Sequence, residues 1–321
     1  MDWTLALAAC GVGMVVGLTG MGGGALMTPV LVLFFNVPPL TAVSSDLVAA
    51  AVMKPVGSFV HLRRGTVHLK LVGWLCVGSV PAAFAGVLIA KSLGNGEHVQ
   101  NVIKTALAVA LLVAAFGLIA RAYIRLLERA RTADGRGAPL PQDKPRVAVR
   151  PVQTVLIGIV GGVVVGMTSV GSGSLIIISL MMIYPGLKAS ELVGTDLVQA
   201  VPLVMSAALG HLLFGDFQLS ITGPLLVGSI PGVYVGAHMS ARLPGGLVRR
   251  ALAFVLLASS LKLFDVSTRT TAMLLIAALL VAPPMWWLVR RHLGLPARAP
   301  GMFARRRRAQ ELSSVGAADG G

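Results

Sequence analysis

"GLTGMGGGALMTPV", Gly17 to Val30, sets five glycines into its first eight residues inside an otherwise apolar segment. A second stretch, "GMTSVGSGSLIIIS", Gly166 to Ser179, returns to the pattern in the other half of the chain. Glycine is the weakest ordinary helix former after proline. Neither stretch can be read as one continuous helix. Each predicts a break between two short helical pieces.

The surroundings of both stretches are those of a membrane protein. The chain has 321 residues, of which 55% are hydrophobic and only 12% charged, and its mean hydropathy is +0.83. A soluble domain carries about 25% charged residues. "LKLVGWLCVGSVPAAFAGVLIAK" (Leu69 to Lys91) and "TTAMLLIAALLVAPPMWWLVRR" (Thr270 to Arg291) each hold about 20 residues between charges, enough to cross a bilayer. The expected class is an all-α integral membrane protein, multi-pass, in a cell membrane such as the bacterial inner membrane. The net charge of +15 does not imply nucleic acid. Its basic residues gather between apolar runs, at Arg121 to Arg150 and Arg290 to Arg308, with no nucleic-acid motif beside them. Cys10 and Cys76 lie in apolar runs and suggest neither a disulfide nor a metal site. "MDWTLALAAC" has an acid and no base, so it reads as an uncleaved first span rather than a signal peptide.

The chain repeats itself. Shifted by 150, Leu40–Gly86 aligns with Ser190–Gly236, and sixteen of those 47 positions are identical. The matches include Asp46 with Asp196, His61 with His211, and Gly78, Ser79, Pro81 and Gly86 with Gly228, Ser229, Pro231 and Gly236. At a shift of 149, Gly17, Thr19, Gly22, Gly24 and Leu26 meet Gly166, Thr168, Gly171, Gly173 and Leu175. Apolar periodicity predicts five helical pieces per half, roughly 5–19, 24–35, 44–60, 69–91 and 101–121, then roughly 152–168, 173–184, 194–213, 219–241 and 247–264. An extra helix follows, at about 271–289.

Basic loops set the orientation. "HLRRGTVHLK" (His61 to Lys70) is basic and expected inside, whereas its mate "HLLFGDFQLS" (His211 to Ser220) has no Lys or Arg. The linker and tail are also basic. These assignments agree only if the halves are inverted, with the N-terminus outside and the C-terminus cytoplasmic. The expected organisation is a first transmembrane repeat at 1–128, a basic cytoplasmic linker at 129–150, a second repeat at 151–265, an extra C-terminal transmembrane helix at 270–291, and a basic disordered tail at 292–321. Each repeat would contain short broken or re-entrant helices.

Inverted repeats with interrupted helices are a recurring transporter design. Irregular backbone at membrane depth is tolerated where it is buried in protein or lines a polar cavity. New helices opening near Gly24 and Ser174 would present N–H groups and positive dipole ends to an anion, and glycines would let it come close. Thr19, Gly22, Gly23, Gly24, Thr168, Ser169, Gly171, Ser172, Gly173, Ser174 and Gln199 are therefore candidate substrate-binding residues. The competing reading is close helix packing through small residues.

At this point "GLTGMGGGALMTPVLVLFFNVPPLTAV" (Gly17 to Val43), "HLRRGTVHLKLVGWLCVGSVPAAFAG" (His61 to Gly86) and their repeats resemble the sulfite exporter TauE/SafE family of membrane anion transporters. The resemblance covers about Gly11 to Phe264. It implies movement of sulfite, organosulfonates or related small anions, coupled to an ion gradient, with no cofactor. "VGSGS" replaces the glycine triplet usual in the second half, and "SSDL" and "GTDL" carry acids where the family more often has an uncharged residue.

Charged residues inside apolar runs are costly and usually functional. Lys54 is one, and its repeat mate is the apolar Val204. It is a candidate substrate-binding cation; snorkelling, or contact with carbonyls freed by Pro55, is the alternative. Asp46 and Asp196 are expected at the starts of the third helices, as caps or as proton or cation coupling sites. Eight residues separate Asp46 from Lys54, too far for neighbours on one helix. His61 and His211 are expected to meet carbonyls at helix ends. The reading from residues is a secondary transporter of small anions working by alternating access. An intramembrane enzyme or a non-transporting membrane assembly factor is the alternative, although no HExxH or GxSG motif is present. The sequence does not give the substrate, the coupling ion or the oligomeric state.

Overall fold

The structure, a computed structural model, describes residues 2–19, 23–63, 65, 67–93, 96–133, 148–184, 186–187, 189–239 and 245–293. Within them the chain is all helical: α1 (Trp3–Thr19), α2 (Gly24–Phe34), α3 (Pro39–Arg63), α4 (Leu69–Ser92), α5 (Glu97–Ala133), α6 (Pro151–Thr168), α7 (Leu175–Ile183), α8 (Ala189–Phe214), α9 (Leu219–Met239), α10 (Gly245–Leu263) and α11 (Thr268–His292). Six of these, α4, α5, α6, α8, α9 and α11, contain segments long and apolar enough to span a membrane. The outward side chains are large and apolar, among them Leu7, Phe34, Val152, Met182 and Leu219, as contact with lipid requires. Most of the expected 129–150 linker and 292–321 tail lies outside the described residues.

One compact unit holds Met1–Ala122 and Pro141–Leu275; a second holds Tyr123–Leu140 and Ile276–Gly321. The first contains both sequence repeats. Asp2 opens it as the cap of α1, where its Oδ1 accepts the N–H groups of Thr4 (2.9 Å) and Leu5 (3.2 Å). The Thr4 hydroxyl and the Leu5 N–H hold the Asp2 carboxyl below the usual carboxylate range.

The repeats pack by exchange. Helix α1 lies along α9, and its mate α6 lies along α4, while α3 packs on its own mate α8. The two long seams match residue by residue. A Cβ on Gly78 would fall on the Val155 carbonyl, and one on its mate Gly228 would fall on the Ala6 carbonyl. Gly86 against Val163 repeats as Gly236 against Met14, and Gly162 against Ser79 as Gly13 against Ser229. Lipid offers no hydrophobic drive between helices, so close backbone packing has to hold them. Each Cα–H to carbonyl contact such a seam admits adds roughly 0.5–1 kcal/mol.

Both glycine stretches break the helix. Thr28, Pro29 and the rest of α2 begin a new helix after Gly23, whose carbonyl accepts from Leu26 and Met27, each at 3.0 Å. In the second break Ser169 turns into the left-handed region (φ 60°), and Gly171 (φ 129°) and Gly173 (φ 96°) follow. Only glycine adopts the last two values without strain, which is why this break alternates Gly-Ser-Gly-Ser. The Gly171 carbonyl then starts α7 by accepting from Leu175 at 3.0 Å.

One expectation is overturned by the helix boundaries. Asp46 and Asp196 are not caps, because α3 starts at Pro39 and α8 at Ala189, seven residues earlier in each case. Pro39 suits a first helical position: its fixed φ is helical and its missing N–H would have had no partner there.

Candidate functional site

The polar interior of the first unit is built where α3 meets the second break. Helix α3 is continuous through Pro55, so Lys54 stays on its face. Lys54 is 8% exposed, and its Nζ donates to Ser172 Oγ at 2.6 Å. The ammonium therefore neither snorkels nor turns back to its own helix; it reaches the other half of the chain. Since Ser172 Oγ accepts this bond, its hydroxyl proton remains available to a further acceptor.

Two turns earlier on α3, Asp46 is fully buried. Its Oδ2 accepts hydroxyl donors from Thr28 on α2 (2.8 Å) and Ser169 in the second break (2.7 Å). Its Oδ1 is also buried, with no hydrogen-bond partner among the described residues. Asp46 and Lys54 are not neighbours along the helix, yet both hold serines of one short loop. Asp196 on α8 is 1% exposed and, with Asp46, lies within electrostatic range of Lys54.

The remaining candidates divide. Gly24 packs against Ser169: a Cβ there would collide with the Ser169 carbonyl. Its glycine is explained by packing. Gly23 differs, because a Cβ would meet only Met53 Cε at 3.8 Å and Val16 Cγ2 at 3.9 Å, and its φ of −60° is ordinary helix. Thr168 turns its hydroxyl onto its own helix, to the Val164 carbonyl at 2.6 Å. Ser174 precedes α7 without a side-chain cap bond. Gln199 joins α8 to α4, its Nε2 donating to Ser79 Oγ at 2.5 Å while Oε1 stays buried without a partner among the described residues. Gly22 and the side chain of Thr19 lie outside the described residues, as does the side chain of His61.

His211 meets the helix-end expectation on another helix: it sits in the last turn of α8, and its carbonyl partner, Gly166, in the last turn of α6. The side chain is fully buried, and its ring bonds Ser44 Oγ on α3 (Nδ1, 2.8 Å) and the Gly166 carbonyl on α6 (Nε2, 2.8 Å). A carbonyl only accepts, so Nε2 carries the proton. Thr28 and Ser44 are polar partners that sequence reasoning passed over. A lone threonine just before Pro29 in the apolar α2 was the only available signal for the first. Among the described residues, no three His, Cys, Asp or Glu side chains gather as metal ligands.

Among the described residues, eleven helices, six of them long and apolar enough to cross a membrane, and a buried charged cluster beside the second break define a polytopic membrane protein. The family model described as "Sulfite exporter TauE/SafE" matches residues 5–263, and the chain belongs to that family. It is similar to "Probable membrane transporter protein YjnA" of Bacillus subtilis (strain 168), at 37% identity over 264 residues, which are 82% of this chain and all of that one. It is also similar to "Probable membrane transporter protein YdhB" of the same organism, at 26% identity over 242 residues, 75% of this chain and 91% of that one. No solved structure matches it. The protein is thus a secondary membrane transporter of small molecules, and membership of this family displaces the intramembrane-enzyme alternative.

Proposed function

We propose that this protein carries a small anion, a sulfur oxyanion or organosulfonate, by alternating access between two inverted halves. The observation that carries the reading is Lys54, a buried ammonium bonded across the halves to Ser172 in the second break. A fixed charge at membrane depth is costly and finds its use on a substrate or ion path. Ser172 can donate a hydrogen bond to an oxyanion, and Ser169 and the Gly171–Ser174 backbone stand beside it. Gly23 supports the same reading, since neither strain nor contact accounts for its lacking a side chain.

The halves are 1–128 and 151–265, with 270–291 as an added span. Their inversion rests on the basic loops and on parity, and the exchanged seams α1–α9 and α6–α4 agree with a two-fold relation between them. The short pairs α1–α2 and α6–α7 enter and leave on one side. The N-terminus is outside and the tail cytoplasmic. The anionic class follows from Lys54, and the sulfur chemistry from the family description. Movement is coupled to a proton or cation gradient.

The test is uptake of labelled sulfite, thiosulfate and taurine into liposomes holding the purified protein. A thermal-shift screen of the same anions, with carboxylates as comparison, accompanies it. The expected result is saturable uptake of at least one sulfur anion, with a raised melting temperature, since a ligand that binds only the folded state stabilises it. If the Lys54→Met variant, folded and inserted, transports like the wild type, the site is elsewhere.

A further inference from the structure

The charges around the second break do not balance. Lys54 is one buried ammonium; Asp46 and Asp196 are two buried carboxylates within its electrostatic range. Among the described residues, no other ionisable group joins them from the elements packed on α3. Helix α2 and the second break carry none. On α8, Glu191 lies at the helix start, 3.8 Å from His68, and His211 is held by Ser44 and the Gly166 carbonyl. Asp216, beyond α8, accepts from the Thr41 hydroxyl. His238, at the far end of α9, turns to its own Tyr234 carbonyl. With all three groups ionised the cluster is one negative charge in excess, and an arriving monoanion would raise that to two among buried groups, where charges are poorly screened.

We propose that Asp46 is a proton site, and that its protonation accompanies anion binding beside Lys54 and Ser172. This rests on the anion-binding reading above. Ser169 is the link. While Asp46 is ionised, the Ser169 hydroxyl is committed to Oδ2. Once Asp46 takes a proton from water on the open side, Oδ2 becomes the weaker acceptor of a neutral acid, the Ser169 hydroxyl can exchange it for the stronger oxyanion, and the cluster is neutral before the anion adds its charge. Oδ1, which has no hydrogen-bond partner among the described residues, is the oxygen left open for the proton. Asp196 Oδ1 is likewise buried with no hydrogen-bond partner among the described residues, but the two hydroxyl donors are particular to Asp46. The repeat mates of Thr28 and Ser169 are Ile177 and Gly20, which carry no hydroxyl, so the donor pair belongs to Asp46. Proton and anion then cross together.

The experiment is calorimetric titration of the full-length protein with thiosulfate and with methanesulfonate, neither of which titrates between pH 5 and 8. It is run in two buffers of different ionisation enthalpy, with and without sodium. The wild type should take up about one proton per anion, with affinity rising about tenfold for each pH unit lowered over the upper part of the range. Asp46→Asn should bind with no pH slope, and in liposomes it should keep anion counterflow while losing accumulation driven by a pH gradient. Asp196→Asn, which removes one of the two negative charges, should keep a slope but move it to lower pH. A wild-type affinity that is flat in pH, or that follows sodium instead, overturns the proposal, as does a slope retained by Asp46→Asn. The wild-type stoichiometry decides the matter even if that variant does not fold. If neither anion binds at any pH, the anion-site reading falls, and this inference with it.

Discussion

Gly23 and Gly24 are adjacent glycines of one break, yet the structure gives them opposite tolerances. At Gly23 the backbone is ordinary right-handed helix, and a new Cβ would find its nearest neighbours at 3.8 and 3.9 Å, an unstrained contact. Gly23→Ala should therefore stabilise the folded protein by about 0.4–1 kcal/mol, through the narrowed freedom of the unfolded chain. At Gly24 a Cβ would run into the Ser169 carbonyl. Relieving that overlap means moving backbone, at about 1–3 kcal/mol, and shifting Ser169 off Asp46. Transport should divide differently. Gly23→Val should be folded and inserted with uptake largely lost, because its side chain enters space the anion needs. Gly24→Val should give little folded protein. Thermal unfolding in detergent measures the first quantity, and labelled-anion uptake per amount of folded protein the second. Wild-type uptake by folded Gly23→Val would refute the role given to that space. Equal destabilisation at both positions would refute the geometry.

Lys54→Met should weaken anion binding about 10- to 100-fold, the worth of a charge-assisted hydrogen bond of about 1.5–3 kcal/mol, while Lys54→Arg should keep part of it; isothermal titration reads both. Gly86→Val, whose Cβ would lie 2.7 Å from the Val163 carbonyl, should lower expression and melting temperature without changing uptake per folded molecule. His211→Ala leaves the Ser44 hydroxyl and Gly166 carbonyl unanswered and should cost about 2–4 kcal/mol of stability, seen as earlier thermal unfolding. Cysteines at Gly137 and Ala309 should be labelled only from the cytoplasmic side, and labelling of residue 137 in intact cells would refute the inverted orientation.

Helices were legible because composition dictates them. Apolar runs ended by Gly, Pro and charge placed α4 at 69–91 against Leu69–Ser92, and α2 at 24–35 against Gly24–Phe34. Errors fell where local chemistry is ambiguous. "SSD" resembles a cap, but the helix had already begun at Pro39, so Asp46 faces the interior. The site itself was only half visible. Lys54, Ser169 and Ser172 could be chosen by type, but their partners lie 118 and 123 residues away along the chain, and no periodicity records a bond across such a distance. The His211–Ser44 pair, 167 residues apart, was missed for the same reason, and Thr28 because its partner, though only 18 residues away, lies on another helix.

The seams between α1 and α9 and between α4 and α6 have a consequence for biogenesis. Each joins a helix of one half to a helix of the other, so synthesis order governs when either can close. Helix α1 ends at Thr19 and its partner begins at Leu219, an interval that a ribosome making about 5–20 residues per second needs about 10–40 s to cover. For that time Gly13 and the carbonyls of Ala6, Cys10 and Met14 face lipid with no helix against them. A nascent chain stalled in α8 would leave this face permanently uncovered, a distinctive substrate for membrane quality control.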